Sequence, residues 1–191
     1  MNAATVTTGD FSDMAETILF EGFEADGGAL LYSTSITEFI DSDNPFSFFT
    51  RTDGSNVTDA SIDSGSYAVA GQAGDFYFAA QALGETVTLS FENIDIEGFS
   101  NLNFSALFAE DDANSGSIPE DWDWDDFVRI EYQIDQGDVQ NLLAFETDAE
   151  SVGIFSDPPL QDTDFDGVGD GTELTSQFTP FTAGIDGNGS Q

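Results

Sequence analysis

The chain contains no lysine, no histidine and no cysteine, and its two basic residues are Arg51 and Arg129. These absences exclude a Ser-His-Asp triad, a thiol nucleophile, a Schiff-base lysine and a histidine-ligated metal site within this chain. They also exclude a phosphate-binding lysine loop. No apolar run approaches the roughly 18 residues of a membrane-spanning helix, so we expect no membrane insertion. Residues 1–16 lack the basic start and apolar run of a signal peptide.

Positive charge is scarce beside 38 acidic side chains, which give a formal net charge of −36. We expect no binding to nucleic acid, because the cations that displace counterions from phosphates are missing. An anionic membrane surface would repel the chain as well. Self-repulsion destabilises a compact state unless salt or bound cations screen it, so we expect a secreted or cell-surface protein in a saline, calcium-containing setting. The alternative is a cytoplasmic protein of a salt-accumulating halophile, and the absence of cysteine fits both.

The acidity does not predict disorder, because disordered chains are poor in aromatic residues. This chain of 191 residues has 19 Phe, 4 Tyr and 2 Trp, and 39% of its residues are hydrophobic. That apolar surface is enough for one core. Residues 1–16 are small and polar without clear periodicity, and we interpret them as a leader or linker. Residues 17–191 are predicted to form a single domain that ends before a closing strand.

Short runs rich in Ile, Val, Phe and Tyr alternate with Gly, Asp, Asn and Ser after residue 16, a pattern typical of strands and turns. In the clearest run, 127–135, Val128, Ile130 and Tyr132 share one face of a strand. A turn at 135–138 is predicted to reverse the chain into 139–146 as a hairpin. The other predicted strands are 17–23, 30–39 (alternatively a short helix), 46–52, 67–70 paired with 76–80, 85–91, 102–108 and 177–185.

About nine or ten short strands with polar connections predict an all-β fold. The expected architecture is two packed antiparallel sheets, a β-sandwich of jelly-roll type.

Residues 162–173 carry the most specific motif. Carboxylates stand at loop positions 1, 3, 5, 9 and 12 with glycine at position 6, which is the spacing of a calcium loop. The alternating aspartates direct several oxygens inward, and Gly167 permits the sharp turn. The predicted Ca²⁺ ligands are five side chains and one backbone carbonyl: Asp162, Asp164, Asp166, Val168 through its carbonyl, Asp170 directly or through water, and Glu173.

Proline at 158, 159 and 180 argues against the helices that flank an EF-hand. We therefore predict an isolated EF-hand-like loop, similar to the aspartate loops of thrombospondin type 3 repeats. A solvated acidic turn is the alternative interpretation of the same residues.

Residues 110–126 form a second acidic region. One interpretation is a second calcium site at a sheet edge, in which Asp111 and Asp112 are joined by Glu21 or Glu24 from the first predicted strand. A solvated loop is the alternative. Trp122 and Trp124 alternate within this region, and on an extended backbone both rings would lie on one face and could stack on sugar rings. Rings that anchor the loop in the core are the alternative.

Paired carboxylates are the only acid–base chemistry that this composition leaves. A glycosidase needs two carboxyl groups about 5–9.5 Å apart, one of them with a raised pKa. A raised pKa requires burial, and the sequence places no acidic residue obviously on an apolar strand face. We expect no enzyme, with a carboxylate-dependent glycoside hydrolase as the alternative.

Several stretches together resemble a known module: LFEGFE at 19–24, FFTRTDGSN at 48–56, DFYFAA at 75–80, NLNFSALFAEDD at 101–112, FVRIEYQIDQGDVQNLLAF at 127–145, and the aspartate loop continued to 174. The set is similar to a β-sandwich module of large secreted proteins of marine and other Gram-negative bacteria. Such modules occur beside lamin-tail, extracellular endonuclease or adhesin-type domains. The resemblance spans 17–185 and implies an accessory, calcium-binding, non-catalytic module whose pattern continues into an acidic closing strand.

The sequence therefore predicts a calcium-binding extracellular module with a structural or ligand-presenting role in a larger protein. Its expected partners are Ca²⁺ and either glycans or neighbouring domains of the same polypeptide. A carbohydrate-binding module is the alternative function.

Overall fold

The computed structural model describes residues 2–8 (backbone only), 16–24, 30–43, 47–58, 69–111, 122, 126–148 and 159–186. All regular elements in these ranges are β-strands, and every pair within the sheets is antiparallel, which confirms the predicted all-β sandwich class. The jelly-roll connection order stays a prediction. In chain order the strands are β1 (Asn2–Thr8), β2 (Glu16–Glu21), β3 (Ser33–Thr34), β4 (Phe39–Ile40), β5 (Phe48–Thr52), β6 (Tyr77–Gln81), β7 (Leu89–Ser90), β8 (Leu102–Phe108), β9 (Phe127–Tyr132), β10 (Gln140–Glu146), β11 (Leu160–Gln161) and β12 (Thr179–Ile185).

Four sheets organise these strands. The main sheet has the order β12-β8-β1-β2, and the hairpin sheet has the order β11-β10-β9. The side sheet has the order β4-β5-β6, and β3 and β7 form a two-stranded pair. The hairpin sheet contains the predicted hairpin, because β9 and β10 pair from Phe127↔Glu146 to Tyr132↔Gln140 across the turn at 135–138.

The first core lies between the main sheet and the hairpin sheet. Alternation along β8 and β12 turns Ala106, Phe108 and Phe181 towards Leu143 and Phe145 of β10. The Phe145 ring lies 4.9 Å from Phe181 and 5.0 Å from Phe108, centroid to centroid, in tilted or edge arrangements that aromatic pairs prefer. Burying each of these rings contributes about 2–3 kcal/mol.

The opposite face of β8 contributes to a second core. Leu107 packs there against a cluster of Phe48, Tyr77 and Ala79 from the side sheet, Val57 beyond β5, and Phe178 just before β12. The other face of the side sheet carries a third cluster of Phe23, Phe49 and Phe78. Both faces of the side sheet therefore pack against apolar clusters, which explains why Phe48 and Phe49 are adjacent in β5 and why 76–80 is hydrophobic without interruption.

Residues 2–8 differ from their interpretation as part of a leader or linker. In the structure they form β1, which lies between β2 and β8 in the main sheet. The segment 5–8 reads Thr-Val-Thr-Thr, and β-branched residues favour extended backbone. Pairing on both sides also covers edges of β2 and β8 that would otherwise be open.

The predicted pairing of 67–70 with 76–80 is wrong where the structure describes it. Strand β6 pairs with β5 along its whole length, and Ala70 forms a parallel bridge with Gln177. The hydrophobic pattern of 76–80 is compatible with pairing to 67–70 or to β5. Burial of Phe48 and Ala79 in one core favours the pairing with β5, which is more distant in sequence. The long runs predicted at 30–39 and 85–91 are mostly not strands: the first contains β3 and the first residue of β4, and the second contains β7.

Candidate metal centre

The aspartate loop, residues 162–173, is closed at its base by backbone hydrogen bonds. The amide of Gln161 donates to the carbonyl of Thr172 at 2.9 Å, and the amide of Leu174 donates to the carbonyl of Pro159 at 2.9 Å. Leu160 and Glu173 form an antiparallel bridge between these bonds. Strand β11 thus leads into the loop, and Leu174, a buried member of the first core, follows it.

The loop also rests on the end of β10. The amide of Asp162 donates to the carbonyl of Ala144 at 3.0 Å, and the amide of Gly169 donates to the carbonyl of Thr147 at 2.8 Å. A Cβ at Gly169 would lie 2.4 Å from the carbonyl oxygen of Glu146, which is closer than any side chain can approach. The sheet and the loop are therefore in direct backbone contact, with glycine where the approach is tightest.

Asp162 is the buried centre of the loop, with 2% of its surface exposed. Its Oδ1 accepts hydrogen bonds from the amides of Phe165 at 2.7 Å and Asp164 at 3.3 Å, and its Oδ2 accepts one from Gly167 at 2.9 Å. The loop wraps around this carboxylate through positive φ angles of 62° at Phe165 and 90° at Gly167. Three backbone hydrogen bonds therefore hold this carboxylate in place.

The side chains of Asp162, Asp164 and Asp166 converge. One carboxylate oxygen from each lies within 4.8 Å of the other two, and no other group of three or more acidic residues in the described part of the chain is this close. Two oxygens bound to one Ca²⁺ ion can be at most about 5 Å apart, since each bond is about 2.3–2.6 Å long. The donor set consists of hard oxygens only, so these three residues could hold a metal ion that prefers oxygen ligands.

The other predicted loop ligands are not part of this group. Oδ1 of Asp170 accepts hydrogen bonds from the amide of Thr163 at 3.0 Å and from its hydroxyl at 2.8 Å, and these bonds lower the pKa of Asp170 below its usual value. Glu173 is exposed beside its bridge to Leu160. The amide of Val168 donates to Asp166 Oδ1 at 3.0 Å. Ligation by Asp170, Glu173 and the Val168 carbonyl stays a prediction.

Sequence reasoning missed a carboxylate beside the loop, that of Glu146 at the end of β10. Its side chain is 10% exposed, and its Oε1 accepts a hydrogen bond from Arg129 at 3.0 Å in a salt bridge. Burial raises the pKa of Glu146, Arg129 lowers it, and the nearby Asp162 raises it. The usable signal was the alternation of Leu142, Ala144 and Glu146 on one strand face, which is buried throughout.

Glu146 is also the buried carboxyl with a raised pKa that the glycoside hydrolase alternative requires. However, its Oε1 is bound by Arg129, and the carboxylate of Asp162 accepts three backbone hydrogen bonds. This pair therefore does not supply an accessible acid and base for that mechanism.

Of the residues proposed for a second calcium site, Glu21, Glu24 and Asp111 do not form a close group of acidic side chains within the described ranges, and the site stays a prediction. Buried Glu21 accepts hydrogen bonds from the amides of Phe23 at 2.6 Å and Leu31 at 3.1 Å. Glu24 accepts them from the amides of residues 75 and 76 at 2.8 and 3.2 Å. Both glutamates thus satisfy backbone donors beside the side sheet. Asp111 is half-buried and helps to raise the pKa of Tyr77, and Asp112 lies outside the described residues.

The two tryptophans give no sugar-binding surface that can be described. Trp122 is half-buried, and Trp124 lies outside the residues that the structure describes. Stacking of both rings on a sugar therefore stays a prediction.

Comparisons with known proteins give no relatives: no family model matches the chain, no curated protein matches it, and no solved structure matches it. The described ranges contain no helix that is long and apolar enough to cross a membrane.

Proposed function

We propose that this protein is a non-catalytic, calcium-binding β-sandwich module with a structural role in an extracellular protein. The observation that supports the proposal best is the convergence of Asp162, Asp164 and Asp166 on a loop that is closed at its base. Three carboxylates that approach within 4.8 Å repel one another, and a divalent cation between them offsets this repulsion.

Calcium is the proposed ion because of the oxygen donors in the loop and the backbone hydrogen bonds that hold one of them. Ca²⁺ takes six to eight oxygen ligands in flexible geometry, and carboxylates, carbonyls and water are the ligands that this loop offers. The backbone amides that hold Asp162 fix one ligand before an ion arrives, which reduces the ordering needed on binding. Exposed Asp164 and Asp166 complete the carboxylate set from the solvent side.

A bound ion would act on the fold because the loop leads directly into the core. Leu174 follows Glu173 and is buried among the side chains between the two sheets. Ordering the loop therefore fixes the entry to β12, and ion binding adds to the free energy of unfolding.

The proposal is tested by melting the protein in EDTA, in Mg²⁺ and in Ca²⁺. With free Ca²⁺ at about 100 times its Kd, the free energy of unfolding rises by about 2.7 kcal/mol. For a chain of this size, that increase raises Tm by about 5–10 °C. We expect Mg²⁺ to have a smaller effect, because it requires stricter octahedral geometry and keeps its water.

A pair of double variants assigns the effect to the loop. Asp164→Asn with Asp166→Asn removes two carboxylates from the candidate site, whereas Asp135→Asn with Asp138→Asn removes two from the exposed hairpin turn. The first is expected to lose the response to Ca²⁺ and the second to keep it. If calorimetry detects no heat of Ca²⁺ binding and the wild-type Tm is the same in Ca²⁺ and EDTA, the proposed function is wrong.

A further inference from the structure

Three charged side chains lie together on one face of the hairpin sheet. Arg129 of β9 pairs with Ala144, and Glu146 of β10 pairs with Leu160 of β11. The hydrogen bond from the Asp162 amide to the Ala144 carbonyl extends this ladder by one residue. Because paired residues of antiparallel strands share a face and successive residues alternate, Arg129, Glu146 and Asp162 point to the same side of the sheet.

Contacts with Glu146 and Phe127 fix the position of the Arg129 guanidinium. The guanidinium of Arg129 lies 3.0 Å from Glu146 Oε1 and 5.0 Å from the centre of the Phe127 ring. The other cation of the chain, Arg51, is engaged elsewhere: it donates to the carbonyls of Phe23 at 3.4 Å and Glu24 at 3.1 Å. Arg129 is thus the cation next to the aspartate loop.

We infer that the Arg129–Glu146 pair sets the Ca²⁺ affinity of the loop, with Arg129 holding the affinity below that which the neighbouring carboxylates would give alone. The inference rests on the proposed function. Arg129 neutralises Glu146, so removing the arginine leaves an extra negative charge beside Asp162 and strengthens attraction of a divalent cation. Removing the charge of Glu146 instead leaves Arg129 unneutralised beside the loop, and that charge repels the ion. The two partners of one pair therefore act on affinity with opposite signs.

The experiment measures Ca²⁺ affinity by calorimetric titration, and stability by urea unfolding in EDTA, for the whole chain. Arg129→Gln is expected to bind Ca²⁺ at least about threefold more tightly, and Glu146→Gln about tenfold more weakly. Arg129→Lys retains the charge and should bind within about twofold of the wild type. Arg51→Gln is the matched control, since it removes the same charge from the side sheet and should leave the affinity unchanged.

Arg129→Gln should be less stable than the wild type in EDTA, because it leaves a buried carboxylate unpaired. A purely structural role for Arg129 would lower stability without raising affinity, so tighter binding together with lower stability supports the inference. Equal affinities for Arg129→Gln and Arg51→Gln, or weaker binding by Arg129→Gln, would overturn it. If Arg129→Gln does not fold in EDTA, Glu146→Gln and Arg129→Lys decide the matter, because equal affinity of these two variants contradicts the proposed electrostatic coupling. A wild-type chain that binds no Ca²⁺ refutes the proposed function itself, whereas unchanged affinities in variants that do bind refute only the inference.

Discussion

Replacing Asp162 with alanine separates the structural role of the aspartate loop from its role in ion binding. The carboxylate of Asp162 is buried and accepts two short hydrogen bonds, from Phe165 at 2.7 Å and Gly167 at 2.9 Å, and a longer one from Asp164 at 3.3 Å. A hydrogen bond to a charged group contributes about 1.5–3 kcal/mol. The two short bonds alone therefore predict a loss of about 3 kcal/mol even when no metal is bound.

Asp166→Ala is the matched comparison, because it also removes one carboxylate from the loop. Asp166 is exposed and accepts one hydrogen bond, from the amide of Val168 at 3.0 Å. Because water replaces this bond at an exposed carboxylate, its loss should cost about 1 kcal/mol or less in EDTA. In Ca²⁺, both variants should lose most of the stabilisation by the ion.

Urea unfolding in EDTA and in Ca²⁺ measures both effects, provided that the m-values of the variants match that of the wild type. The expected order of stability in EDTA is wild type, then Asp166→Ala, then Asp162→Ala. If the two variants are equally stable in EDTA, the amides around Asp162 do not hold the loop in the way that the geometry implies.

Two further predictions concern the packing of the loop and the effect of alkaline pH. Gly169→Ala should destabilise the fold by about 2 kcal/mol, because its Cβ would lie 2.4 Å from the Glu146 carbonyl oxygen. Gly184→Ala is the control, since its Cβ meets open space and should leave the stability nearly unchanged. Thermal melts of both variants test the prediction. Burial, reinforced by nearby carboxylates, raises the pKa values of Tyr32 and Tyr77 above their usual value. The unfolded chain therefore loses these protons first, near pH 10. The contribution of these tyrosines to the free energy of unfolding should be complete below about pH 10 and decrease above it. Tyr77→Phe should reduce that fall in denaturation measured between about pH 9 and 12, and an identical pH profile for this variant would contradict the assignment.

Sequence patterns correctly predicted those elements that depend on residues close together in the sequence. Alternation along 102–108 and the turn at 135–138 placed β8 and the hairpin correctly, because each depends on neighbours in sequence. The convergence of Asp162, Asp164 and Asp166 was predicted for the same reason, since five residues and a glycine turn fix it.

Long-range pairing explains what the sequence did not reveal. Glu146 comes beside Asp162 only through the register of β11, a strand of two residues, and Arg129 comes there only through the register of the hairpin. Glu21 and Glu24 accept hydrogen bonds from backbone amides in the structure, a role that the sequence did not indicate. The amides that meet a glutamate side chain are placed by long-range packing, and composition carries no such information.

The position of the loop between β11 and β12 gives it a topological role. Strand β11 belongs to the hairpin sheet and β12 to the main sheet, so residues 162–173 lie on the connection that crosses from one layer of the sandwich to the other. An ion bound to this connection would shorten the flexible segment between the two sheets. It would thereby reduce the conformational entropy that the chain gains when the sheets separate. In a polypeptide without cysteine, such a clasp is a reversible counterpart of an inter-sheet disulfide, released by dilution of the cation and not by a reductant.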